Sequence, residues 1–173
     1  MEYFNFYDLK SVKHLDLSNN KLHVVDYDID STHGIYNLEK LYLNNNKIGS
    51  NSTAWIEESA YPDQNDSMPL FTQSFSNLNI CDVSNNDIRT LNNTTDIDTE
   101  ETFMENLNAS SNPRLGIDGE FLMKSPNLKY LNLNSTNLQQ GVRIKNASNL
   151  EFATIKGGQL RRLSVSSNTR PDT

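Results

Sequence analysis

VKHLDLSNNKL, residues 12–22, carries its apolar side chains at Val12, Leu15, Leu17 and Leu22, with Asn20 at a fixed place among them. The same spacing returns at Leu38, Leu41, Leu43, Asn46 and Ile48, and again at Leu78, Cys81, Val83, Asn86 and Ile88. Leu15 and Leu17 are two apart, so on a strand they point to one side and Asp16 to the other. So short a strand cannot bury its apolar side alone. Stacking one copy on the next sets the Leu15/Leu17 side against the Leu41/Leu43 side and makes a continuous core.

This spacing, L-x-x-L-x-L-x-x-N-x-L, resembles the consensus of the leucine-rich repeat family. The resemblance implies an α/β solenoid: a curved, right-handed horseshoe of about six repeats, with a parallel β-sheet on the concave face and short strands or helices on the convex side. The Asn has a physical task in such a coil. Where the chain turns out of the strand, backbone groups lack ladder partners, and an inward carboxamide carries both donors and an acceptor for them. Asn20, Asn46, Asn86 and Asn112 are expected to form that ladder. The plainer reading is that SNNK, NNNK and SNND are only turn signals.

Composition agrees with a thin solenoid. In 173 residues the hydrophobic content is 35%, and the mean hydropathy is −0.65. Such a chain has more surface per residue than a sphere, and the ordered apolar period argues against disorder. A net charge of −7 and a pI near 4.9 speak against nucleic acid and anionic membrane surfaces as general partners. No apolar run is long enough to span a bilayer, and the start, MEYFNFYDLK, is not a signal peptide. Cys81, the single cysteine, sits at an inward position and reads as a small core residue. With no intrachain disulfide possible, the compartment stays open; extracellular or cell surface is favoured only slightly.

The chain reads as a single domain over residues 1–173. Phe4 and Phe6 alternate like a strand, so residues 1–11 resemble the return half of an incomplete turn. Leu22, Val25 and Tyr27 then keep the inward spacing. Asp26, Asp28 and Asp30 resemble the opening of a calcium loop, but Ser31 stands where Gly is needed and no Glu closes it. Outward acids on a half-buried strand are the favoured reading.

Val12 and Leu38 are 26 apart, whereas Leu38 and Leu78 are 40 apart. An insertion at about residues 50–76 accounts for the difference. Within it Ser52 caps an expected helix over residues 53–60, with Trp55 as its packing anchor, and residues 69–78 resemble a helical descent into the next strand. A short helix start is expected near Thr99 and Thr102–Phe103. Met104, Leu107, Ala109 and Asn112 form the next copy, with Leu115 one place late, and GEFLMKSPNLKYL resembles a convex turn of helix. Leu128, Leu131, Leu133 and Leu138 follow with Thr136 in the Asn place. Leu150, Ala153, Ile155 and Leu160 follow with Gly158 there. Leu160, Leu163, Val165 and Asn168 repeat the motif after ten residues, a partial turn over 160–173 whose return side is also extended. The bare spacing at both ends leads us to expect a fragment of a longer bacterial-type or surface protein, or end-to-end self-association.

In this family the concave sheet usually holds the ligand. The outward positions are His14, Asp16, Lys40, Tyr42, Ile80, Asp82, Asn106, Asn108, Tyr130, Asn132, Phe152 and Thr154, flanked by Ser18, Asn44, Ser84, Ser110, Asn134 and Lys156. Most are small and polar. Tyr42, Ile80, Tyr130 and Phe152 are the large exceptions, and exposed rings favour binding, although scattered surface aromatics need no explanation. His14, His23 and His33 lack metal-ligand spacing, and no Ser elbow, Walker loop or paired-Cys motif is present. Asn51, Asn65, Asn92, Asn93, Asn108, Asn134 and Asn146 begin N-x-Ser/Thr sequons, most of them accidental in so Asn-rich a chain. The sequence thus implies a non-catalytic module that binds a protein partner on the concave sheet, without metal or cofactor. The alternatives are a structural or adhesive spacer of a larger surface protein, and an enzyme or receptor whose active part lies elsewhere.

Overall fold

The computed structural model describes residues 3–6, 9–26, 37–50, 75–91, 102–117 and 119–167. The alternating apolar residues fold as short parallel strands. Six of them form one sheet: β2 (His14–Asp16), β4 (Lys40–Tyr42), β5 (Ile80–Asp82), β6 (Asn106–Asn108), β8 (Tyr130–Asn132) and β10 (Phe152–Thr154). Return strands lie behind them. β1 (Tyr3–Asn5) pairs with β3 (Val24–Asp26), and β9 (Val142–Lys145) lies between β7 (Phe121–Lys124) and β11 (Leu163–Val165). The described chain is therefore a parallel-strand β-solenoid. In four passes both a front and a return strand are described: β2 with β3, β6 with β7, β8 with β9 and β10 with β11.

The register converts the sequence repeat into columns. Leu15, Leu41, Cys81, Leu107, Leu131 and Ala153 are successive partners along the front sheet. Leu41, Cys81, Leu107 and Leu131 are buried, as are Leu43, Val83, Ala109 and Leu133 two places on. Each large apolar side chain in that core stabilises by roughly 1.5–3 kcal/mol. The outermost members are less covered: Leu15, Leu17 and Ile155 are half-buried, and Ala153 is exposed. The return side supplies the opposing wall, with Phe121, Met123, Val142 and Ile144 buried.

The amide ladder is present. Asn46 Oδ1 accepts from Leu22 N at 3.0 Å, and its Nδ2 donates to Leu17 O and Leu43 O, both at 2.9 Å. Asn86 repeats this with Ile48 N, Leu43 O and Val83 O. Asn112 repeats it with Ile88 N, Val83 O and Ala109 O. Asn20, at the edge of the sheet, donates among the described residues only to Leu17 O and Ser18 O of its own turn.

The turn-signal reading also holds, for the residue before. Asn19, Asn45, Asn85, Ser111 and Ser135 all have φ between 53 and 58, and Gly157 has φ 84. This left-handed conformation suits Asn and Gly. In each Asn–Asn pair the first residue makes the turn and the second fills it.

The ladder weakens where the sequence departs from Asn. Thr136 Oγ1 donates to Leu133 O at 2.7 Å, which keeps the bond within the turn. Gly158 has no side chain to offer.

Two expectations are corrected. Residues 119–131 hold no helix. Phe121 and Met123 point inward two apart, and β7 pairs with β9 from Phe121 to Lys124. Burying that alternating pair requires extended backbone. Thr102 and Phe103 are not helical either. Thr102 N donates to Lys124 O at 2.9 Å, which ties this stretch to the return sheet. No α-helix occurs among the described residues. The expected helix over 53–60 with Trp55, most of the descent over 69–78, Thr99, Tyr27, Asp28 and Asp30 lie outside the described residues.

Candidate binding surface

The outward face of the front sheet is built by register alone. His14, Lys40, Ile80, Asn106, Tyr130 and Phe152 form one column. Asp16, Tyr42, Asp82, Asn108, Asn132 and Thr154 form the other. All twelve positions anticipated from the sequence lie on this one face, but their side chains differ in what they do.

The second column is largely occupied in holding the turn. Asp16 Oδ1 accepts from Ser18 N at 2.9 Å. Asp82 Oδ1 accepts from Ser84 N and Ser84 Oγ, and Asn108 Oδ1 from Ser110 N and Ser110 Oγ. Asn132 Oδ1 accepts from Asn134 N at 3.1 Å. This is the Asx-turn, in which a short polar side chain satisfies the backbone two residues on. Neighbouring turns are then linked sideways. Asn108 Nδ2 donates to Asp82 Oδ2 at 3.0 Å, and Thr154 Oγ1 to Asn132 Oδ1 at 2.9 Å. The two hydrogen bonds from Ser18 hold the Asp16 carboxyl below its ordinary range.

The first column carries the apolar surface. Tyr130 and Phe152 are register partners, 47% and 56% exposed, so two large aromatic residues hold neighbouring places on adjacent strands. Ile80 and Tyr42 do not join them. Ile80 is half-buried with Asn106 between it and Tyr130, and Tyr42 lies in the other column between Asp16 and Asp82. Asn106 Oδ1 is buried with no hydrogen-bond partner.

Charges flank the columns on the strand-start side. Lys13 Nζ lies 2.7 Å from Glu39 Oε1, and that ammonium holds the Glu39 carboxyl below its ordinary range. Lys129 Nζ lies 3.0 Å from Glu105 Oε2, and the bond raises the Lys129 pKa. Tyr130 Oη donates to Glu151 Oε2 at 3.0 Å, which raises the phenol pKa by hydrogen bond and then by charge. Behind the first sheet column, Cys81 is fully buried. Burial and then the Asp82 charge push its thiol up, so it is inert as a nucleophile.

Three features were missed in the sequence. The Asx-x-Ser pattern of DLS, DVS and NAS marks the side chains that serve the turn rather than a ligand. Asn37 and Asn149, each just before a leading Leu, donate Nδ2 to Lys10 O and Pro126 O of the preceding turn. The recurrent Asn-Leu pair was the signal for this second ladder. Finally, charge is segregated. Residues 119–167 hold seven Lys or Arg and only two Glu in a chain of net charge −7. On the return side Arg143 pairs with Glu120 at 2.9 Å.

A hollow of about 410 Å³, lined by Ser135, Thr136, Gly157 and Gly158 among others, lies where the Asn side chains are missing. No cluster of metal-ligating side chains occurs among the described residues, and none of their helices is long and apolar enough to cross a membrane.

Residues 10–54 match the family model for leucine-rich repeats in two copies, which covers the turns of Asn20 and Asn46. No curated protein and no solved structure matches the chain. Proteins of this family generally mediate protein–protein interaction and are typically non-catalytic. Beyond the matched residues the strand and left-handed turn recur, with the buried amide at Asn86 and Asn112 and with Thr136 and Gly158 in its place later, and the match over residues 10–54 supports a leucine-rich repeat protein.

Proposed function

We propose that this protein is a non-catalytic module that binds a protein partner on the outward face of its six-stranded sheet. The face is the concave side of a curved horseshoe of about six repeats, as the family resemblance implies. The observation that carries the reading is the pair of rings at Tyr130 and Phe152, adjacent in register and about half exposed on a rigid sheet. Rings in such a setting supply contact area at low entropic cost and are enriched at binding anchors.

A photo-crosslinking residue placed at Phe152 and, separately, at Ser164 on the return side tests this in cells. Crosslinked protein is expected from the Phe152 position and not from the Ser164 position. The triple variant Tyr42→Ser, Tyr130→Ser, Phe152→Ser keeps its melting behaviour and loses that partner. Equal crosslinking from Ser164, or a partner retained by a folded triple variant, would show the concave reading to be wrong.

One observation favours the second reading, a structural or adhesive spacer within a larger cell-surface protein. Asp82, Asn108, Asn132 and Thr154 are bonded to their own turns or to each other, which stiffens the coil without requiring a ligand. A spacer tolerates the triple substitution.

A further inference from the structure

We infer that the part of this face around Tyr130 and Phe152 recognises an extended peptide segment rich in hydrogen-bond acceptors, with one apolar side chain set against the two rings. The inference rests on the concave-face reading above and adds the chemistry of the occupant.

It comes from an inventory of what the amides have left to give. A carboxamide has one acceptor oxygen and two N–H donors. Asn132 Oδ1 already takes Asn134 N and Thr154 Oγ1. Asn134 Oδ1 takes Lys156 N at 2.8 Å. Both oxygens are turned to the protein, and among the described residues neither Nδ2 meets an acceptor. Lys156 adds an exposed ammonium beside them. The remaining capacity beside the rings on this side is thus donor-heavy. Across the rings, Glu151 is held by Tyr130 Oη.

An occupant has to supply acceptors without bringing protons that go unpaired, because an unmatched buried donor costs free energy. Side-chain carboxylates meet that condition and match the Lys156 ammonium, whereas sugar hydroxyls, like main-chain amides, each bring a donor with their acceptor. The flat ring faces of Tyr130 and Phe152 suit an apolar side chain from the same segment.

Asn132→Asp is the informative change. Asp16 and Asp82 stand in the same column and make the same turn, so the carboxylate keeps the inward bonds and removes the outward donors. The full chain is panned against a phage-displayed library of linear peptides, and the enriched peptides are synthesised as probes. We expect Asn132→Asp to weaken them by at least about tenfold, since a donor–acceptor match becomes a repulsion. The double change Tyr130→Ser, Phe152→Ser is expected to abolish binding, with unchanged melting in both variants. Peptides that bind Asn132→Asp as tightly as the parent, yet are lost on ring removal, overturn the donor inference and leave the concave reading standing. Peptides indifferent to both changes overturn both. A library that yields no binding sequence, or displacement of the peptides by maltoheptaose, overturns the acceptor-peptide assignment.

Discussion

At the scale of single residues, two adjacent asparagines carry different loads. Asn46 joins two turns through a buried carboxamide whose oxygen and nitrogen are both used. Asn46→Ala leaves those backbone groups unpaired and is expected to cost about 1–3 kcal/mol. Asn20 is exposed and, among the described residues, bonds within its own turn only, so the same change there costs less. Equal denaturation midpoints for the two variants would refute the ladder. The residue before each ladder position bears backbone strain instead. Ser111 sits at φ 55 at a turn position that Asn19, Asn45 and Asn85 hold in the preceding turns. Ser111→Asn is expected to raise stability by about 0.5–1 kcal/mol, because Asn tolerates the left-handed region better than Ser. A lower midpoint in chemical denaturation contradicts this.

At the scale of elements, the three-residue strands owe their order to stacking. Each is too short to persist alone, and each is held by the neighbours whose register it shares. Cys81 on β5 reports on this directly, because its thiol is buried and pushed up in pKa. We expect alkylation of Cys81 to occur only through opening of β5 against β4 and β6, and its rate to rise with denaturant in step with unfolding. Modification at the rate of a free thiol in the native protein would place Cys81 outside the core. The return strands obey the same rule. β7 is extended because Phe121 and Met123 alternate, although Phe, Leu, Met and Lys in sequence suit a helix as well. Composition could not separate the two states, and pairing with β9 did.

At the scale of the whole molecule, stability in a stacked chain is a sum of turns and their interfaces. β5 and β6 are covered on both sides, whereas Leu163 and Val165 on β11 are 56% and 47% exposed. Opening is therefore expected to be easier at β10 and β11. Hydrogen exchange checks this. The amides of Leu133 and Ser135, which bond to Thr154 O and Lys156 O, exchange faster than those of Val83 and Asn85, which bond to Asn108 O and Ser110 O. Equal protection across these four amides means that the described solenoid opens as one unit. Charge is also a property of this scale. The net value of −7 hides a region, residues 119–167, in which basic residues outnumber acidic ones, so the sign of the whole is a poor guide to any one face.

Much of the fold was legible because the side-chain period of a strand is two and the repeat supplies it again and again. Leu15/Leu17, Leu41/Leu43 and Leu131/Leu133 declare their inward side without any structure, and the Asn that follows declares the turn. The twelve outward positions follow from the same parity. Which of those side chains are free is a matter of distances between turns. The spacing of DLS, DVS and NAS does not show that Asp82 and Asn108 bond each other across 3.0 Å, nor that the oxygens of Asn132 and Asn134 are consumed while their nitrogens are left. Nor does sequence order bring Tyr130 and Phe152 together while keeping Tyr42 and Ile80 apart. Parity within a strand is local and is written in the chain. Adjacency between strands is set by register, and register exists only once the turns have stacked.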